Sequence, residues 1–201
     1  MQVLGIKARI RQRKYNYIKT KPYQVAENIL NREFKATRPN EKWVTDITEF
    51  SVPGEQGKLY LSAILDLYDN SIVAHKLGPS NSNILVFKTF DLAMKRNKNA
   101  TPLFHSDRGF QYTSRYFKNK LENFGIEQSM SRVGKCIDNG PMESFWGTLK
   151  SESYYGLTYK SREELIKGIQ KYIHFYNNER YQPVLKNMTP FEVRGHVISL
   201  L

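Results

Sequence analysis

The sequence predicts an α/β fold: a mixed five-stranded sheet flanked by helices, with a helical extension at the C-terminal end. Three observations predict it. Residues 42–77 hold three short runs of β-branched and aromatic side chains separated by turn residues, residues 83–130 alternate helical and strand patterning, and residues 161–193 carry helical spacing alone. A chain of 201 residues with 40% hydrophobic content is long and apolar enough to bury one real core, which excludes a disordered chain.

The elements follow in order. Residues 42–52 form an expected strand, 53–57 (Pro-Gly-Glu-Gln-Gly) a turn, and 58–65 the antiparallel partner; 71–77 complete a meander. Residues 83–95 place Ile84, Phe87, Phe90, Leu92 and Met94 at helical spacing, and 102–106 form a short strand. A helix over 114–124 stops at Gly125, which tolerates the left-handed C-cap, and 126–130 return as a strand. Pro141 opens the next helix. Farther on, Ser161 and Glu164 suggest a capping box before Leu165, Ile169, Tyr172, Ile173 and Tyr176, and Thr189-Pro190 starts a last short helix. Three meander strands followed by α/β crossovers is the order of a ribonuclease-H-like sheet rather than of an all-parallel one.

Charge narrows the partners. The formal net charge of +12 and pI near 9.7 point to a polyanion. The first 42 residues hold eleven Lys and Arg against three Glu, interleaved with Tyr15, Tyr17 and Tyr23, so residues 1–36 are expected to be a basic arm or linker whose aromatics stack on bases. A disordered basic tail fits that segment equally well. No run approaches the roughly 20 apolar residues of a bilayer span and no signal peptide opens the chain, so no membrane role and a cytoplasmic location are expected. The single cysteine, Cys136, excludes an internal disulfide, and with four histidines it forms no zinc pattern.

Three carboxylates stand out. Asp46 interrupts the apolar strand Trp43-Val44-Thr45-Asp46-Ile47-Thr48, where a half-buried charge needs compensation unless it faces water on an edge. Asp107 follows the strand at 102–106, where α/β sheets present functional groups, although such aspartates also cap turns. Glu143 falls in the first turn after Pro141, with Gly147 and Lys150 on its face and Met142, Phe145 and Leu149 on the core stripe; favourable placement at the helix dipole is the plain alternative. Converging carboxylates are what two-metal phosphodiester chemistry needs, and Mg²⁺ favours oxygen ligands. Arg108, Arg132 and Lys135 flank these carboxylates and are candidate phosphate contacts. Asp66, Asp69 and Asp138 read as turn or capping residues, His105 as a packing residue, and residues 132–137 as a mobile loop in which Cys136 is incidental.

Together these segments resemble the D,D(35)E core of retroviral integrases and insertion-sequence transposases, since 35 residues separate Asp107 from Glu143. Trp43 to Thr48, then His105-Ser106-Asp107-Arg108-Gly109-Phe110-Gln111-Tyr112, then Asp138-Asn139-Gly140-Pro141-Met142-Glu143-Ser144-Phe145-Trp146 look most like OrfB-type transposases. The tail Tyr172 to Arg180 with Thr189-Pro190 is similar to that family's helical C-terminal segment, so the resemblance spans residues 37–198.

It implies a ribonuclease-H-like core over 37–155, a helical segment over 156–201, and metal-dependent DNA nicking and strand transfer in a multimer assembled on DNA. It assigns two Mg²⁺ ions, replaceable by Mn²⁺, to Asp46, Asp107 and Glu143, and DNA contact to Lys150. The first residues, Met1 to Arg9, resemble the end of that family's second helix-turn-helix, so the upstream recognition segments are expected to be missing. A catalytically silent DNA-binding remnant and a ribonuclease-H-like nuclease are the alternatives.

Overall fold

The computed structural model describes residues 25–52 and 54–198. The tyrosines and most basic residues of the expected arm lie outside the described residues.

β1 (Lys42–Phe50) runs down the middle of the sheet, with β2 (Leu59–Asp66) antiparallel to it and β3 (Ile72–Gly78) antiparallel to β2. β4 (Leu103–Ser106) pairs parallel to β1, and β5 (Gln128–Met130) parallel to β4, giving the order β3-β2-β1-β4-β5. α1 (Asn83–Arg96) and α2 (Arg115–Asn123) make the crossovers. α3 (Gly140–Ser153), α4 (Arg162–Asn178) and α5 (Pro190–Ile198) complete the chain. The mixed sheet and the helical tail are those expected from the sequence.

Alternation along β1 explains the layers. Trp43 enters a cluster with Ile64, Phe90, Phe104 and Phe117 beneath α1 and α2, while its neighbour Val44 joins Leu61, Ala63, Phe145, Leu149 and Ile169 beneath α3 and α4. Both faces of the central strand are therefore covered, and a polar side chain on it is held in place by its surroundings.

The two sheet edges are closed by side chains and by the incoming chain. On β3, the Asn177 amide donates to the Ile72 carbonyl (3.0 Å) and accepts from its N–H (2.9 Å), while Arg96 Nη1 donates to Val73 O (3.1 Å). Beside β5, Met130 N–H donates to Glu27 O (3.0 Å) and Leu30 N–H to Ser129 Oγ (3.0 Å). Leu30 is buried and Phe34 packs on the same core, so residues 26–34, read from the sequence as part of the arm, lie against the domain. The sequence signal there was basic charge, which hid a few anchoring apolar residues.

Helix ends follow their capping residues. Gly125 closes α2 at φ +65°. Ser161 Oγ accepts from Glu164 N–H (3.2 Å), while the Glu164 carboxylate accepts from Lys160 rather than Ser161. Thr189 and Glu192 form the complete reciprocal box at α5 (3.2 and 2.8 Å). Among the described residues, no helix is long and apolar enough to cross a membrane.

Candidate active site

Asp46 and Asp107 meet where β1 outruns β4. The parallel pairing ends at Val44 and His105, and Asp46 and Asp107 stand two residues past that last pair, one on each strand. Burial first, then the Asp107 charge, pushes the Asp46 carboxyl up to about 8; Glu143 adds a smaller push, and hydrogen bonds from the Ile47 N–H and the Trp146 ring oppose it. Burial also raises Asp107, against the Gly109 N–H. Among the described residues neither carboxylate forms an ion pair, and the Lys150 ammonium reaches Asp46 only through space, so the pair carries more negative charge than its surroundings balance.

Each carboxylate is oriented by a donor. Trp146 Nε1 donates to Asp46 Oδ2 (3.0 Å), and the Gly109 N–H to Asp107 Oδ1 (2.9 Å). A Cβ at residue 109 would lie 2.8 Å from Gln111 Oε1 and 3.0 Å from Asp107 Oδ1, so a side chain there would displace Gln111 and crowd the Asp107 carboxylate. Tyr112 is buried within electrostatic reach of both aspartates, its hydroxyl 3.3 Å from Thr45 Oγ1, and burial first, then the Asp46 and Asp107 charges, raises its pKa well above the usual range. Sequence reasoning quoted Gly109, Tyr112 and Trp146 within the motif segments but gave none of them a role; the signal for Trp146 was its place one turn after Glu143.

Glu143 stands exposed in the first turn of α3, within electrostatic reach of Asp46. Among the described residues, no three His, Cys, Asp or Glu side chains are gathered closely enough to hold a metal ion as they stand. The structure thus pairs Asp46 with Asp107 and leaves Glu143 at the margin. The donors on offer are carboxylate and amide oxygens, the chemistry that hard divalent cations take. Asn139 stands beside the pair: its Nδ2 donates to Thr45 O (3.0 Å), next to Asp46, while its buried Oδ1 has no hydrogen-bond partner among the described residues.

Lys150 lies two turns beyond Glu143, its ammonium 5.2 Å from the centre of the Phe50 ring. Burial lowers its pKa, and Glu49 and Asp46 counteract that. Arg108 Nε donates to Ser131 O (2.7 Å). Arg132 is engaged by Asp138, with Nε to Oδ2 and Nη2 to Oδ1 both at 2.8 Å, and Lys135 is exposed on the same loop.

Three aspartates do more than the turn or capping work expected of them. Asp138 is fully buried and accepts from Arg32 (2.7 Å) as well as Arg132, which pins the expected mobile loop at its end. Asp66 and Asp69, also fully buried, share Arg194 of α5. Arg32 and Arg194 are distant in sequence from the aspartates they meet, so local patterning could not reveal them; only Arg132 lies near, six residues before Asp138. His105 is a packing residue as expected: its ring nitrogens meet Ser129 Oγ (2.9 Å) and Ser131 Oγ (3.1 Å), and burial pushes its pKa down to about 4.

Comparison with known proteins adds three findings. Residues 36–136, and separately residues 143–198, match families described as integrase core domain. A transposase-like protein of Haemophilus influenzae is 45% identical over 199 residues, covering 99% of this chain and 91% of its own, and the putative transposase InsK of insertion sequence IS150 from Escherichia coli is 44% identical over 97% of this chain and 69% of its own. The fold is also that of the HTLV-2 integrase catalytic core, solved in complex with magnesium, with a TM-score of 0.62 at 18% identity over 78% of this chain and 97% of that one.

Proposed function

The chain belongs to the integrase core domain family of insertion-sequence transposases, and from that membership we propose that it nicks DNA at the ends of a mobile element and transfers the freed strand. The observation that supports this chemistry is the Asp46–Asp107 pair, two half-buried carboxylates side by side, both raised above the usual carboxylate range. Asp46 and Asp107 would hold two Mg²⁺ ions, for which Mn²⁺ would substitute, and the exposed carboxylate of Glu143 would turn inward to complete the set. When bound, the ions would activate the attacking oxygen and stabilise the leaving one.

The protein's own groups supply the positioning. Trp146 and Gly109 hold the two carboxylates against the negative charge of DNA, and Tyr112 is buried within electrostatic reach of both. Lys150, kept near Asp46 and Glu49, meets a backbone phosphate, with Arg108 and Lys135 flanking it. Arg132, half-exposed while Nε and Nη2 hold Asp138, adds a further phosphate contact at the loop. In the first step a water oxygen bonds to phosphorus as the strand's 3′-oxygen leaves. In the second that 3′-oxygen bonds to phosphorus in the target, whose own 3′-oxygen leaves. No bond to the enzyme forms. The chain acts in the bacterial cytoplasm as a homo-oligomer assembled on DNA.

A branched DNA substrate carrying a preset 3′-hydroxyl tests this without requiring recognition of element ends. Joined product is expected with Mg²⁺ or Mn²⁺, none in EDTA, and none from D107N. An inert parent chain would favour a silent DNA-binding remnant. Cutting of RNA in a hybrid without joining would favour a nuclease.

A further inference from the structure

We infer that Asp138 is a positioning residue for Glu143, and that the segment preceding β1 belongs to the same framework. Five donors converge on this one buried carboxylate. Arg132 contributes Nε, Nη2 and its backbone N–H (2.8, 2.8 and 3.0 Å), Arg32 its Nε (2.7 Å), and Asn28 its Nδ2 (3.1 Å). Together they hold the Asp138 carboxyl well below the usual carboxylate range, the Arg132 side chain most of all.

An aspartate ahead of a helix ordinarily accepts from backbone N–H groups of the first turn. None of these five donors belongs to α3, and its N-cap residue, Asn139, makes no side-chain capping bond. The cluster instead ties residues 28–32 and the loop at Arg132 to one point. From that point a 3₁₀ turn (Cys136–Asn139) runs directly into α3, which brings Glu143 five residues later along continuous helical backbone. Asn139, adjacent to Asp138, fixes the same helix end to the carbonyl next to Asp46. The distance between Glu143 and the aspartate pair is therefore set by Asp138 and Asn139 before any ligand arrives. Outer groups that orient metal ligands in this way typically account for about 10–100-fold of metal affinity.

The inference rests on the reading of Glu143 as a metal ligand, so calorimetric titration of the full chain with Mn²⁺ in the absence of DNA is the test, with circular dichroism confirming the fold of each variant. D138N is expected to weaken Mn²⁺ binding by about 10-fold or more. R32A alters a guanidinium that is 42% exposed, so it should fold; it is expected to weaken binding by about 3-fold, and R32K, which keeps the cation, to restore it. In an E143Q background R32A should cost nothing further, because the residue being positioned has lost its function; a merely structural role would give the same loss in both backgrounds. Folded R32A with parental Mn²⁺ affinity would overturn the inference even if D138N failed to fold. So would R32A that loses DNA affinity in EDTA while keeping its metal affinity, since Arg32 would then be a phosphate contact. A parent chain that binds no Mn²⁺ would instead remove the metal-ligand reading itself.

Discussion

Replacement of Asp46 by Asn is expected to abolish strand joining and, in metal-free protein, to raise the melting temperature. Loss of one ligand removes several kcal/mol of charge stabilisation, which at about 1.4 kcal/mol per tenfold is a rate loss of roughly a thousandfold or more. The stability gain comes from the same carboxyl. Its pKa rises from 3.8 to about 8 on folding, because burial and Asp107 penalise the charge. A raised folded pKa contributes stability that is fully present below the unfolded value and is lost as pH climbs through the folded one.

The melting-temperature gap between D46N and the parent should therefore widen from about pH 4 to pH 8 in EDTA. Each kcal/mol is worth about 2–4 °C in a chain of this size. Added Mn²⁺ should reverse the order, since a ligand that binds only the folded state stabilises the parent alone. Thermal melts at pH 5 and pH 8, with and without Mn²⁺, check this. A D46N protein less stable than the parent at pH 8 in EDTA would contradict the electrostatic account.

The second large effect is far from the carboxylate pair. Arg194 of α5 donates through Nε to Asp69 Oδ2 (2.5 Å) and through Nη2 to Asp66 Oδ2, and both aspartates are fully buried. Asp66 also accepts from the Asn40 N–H (2.8 Å), so the cluster locks the C-terminal helix to the β2–β3 turn and to the approach to β1. R194A leaves two buried carboxylates without their counter-charge, a change that typically costs about 3–5 kcal/mol. The melting temperature should fall by roughly 6–20 °C.

Asp66 already sits above its usual pKa through burial first and Asp69 second, with Arg194 opposing. Losing the arginine raises it further, so the deficit should be largest at neutral pH and shrink as the pH falls through the raised folded pKa, below which Asp66 is protonated with or without Arg194. Adding D69N to R194A should recover part of the loss. Denaturant melts across that range measure both effects, and an R194A protein as stable as the parent would rule out the cluster as a fastening.

The backbone plan was legible in the sequence because period and punctuation are local. Gly125, Pro141, Ser161 and Thr189 each mark a helix end found in the structure. Asp46 and Asp107 were legible as carboxylates in costly positions. The arginine clusters were not, because Arg194 lies 128 residues from Asp66 and Arg32 lies 106 from Asp138, distances at which patterning carries no signal. Nor was the docking of Leu30, a lone apolar anchor in a strongly basic stretch. Glu143 marks the opposite limit. Its place in the first turn of α3 is legible from Pro141, while its exposure at the margin of the aspartate pair is a matter of how α3 packs, which no local pattern encodes.

The account turns on whether Glu143 joins the two aspartates around a cation. A crystal grown in Mn²⁺ and measured for anomalous scattering answers this directly. The expected result is a peak between Asp46 and Asp107 with the Glu143 carboxylate turned inward as a ligand of that ion or of a second one. Full Mn²⁺ occupancy with Glu143 still facing solvent, or no peak at Mn²⁺ concentrations that support joining, would contradict it.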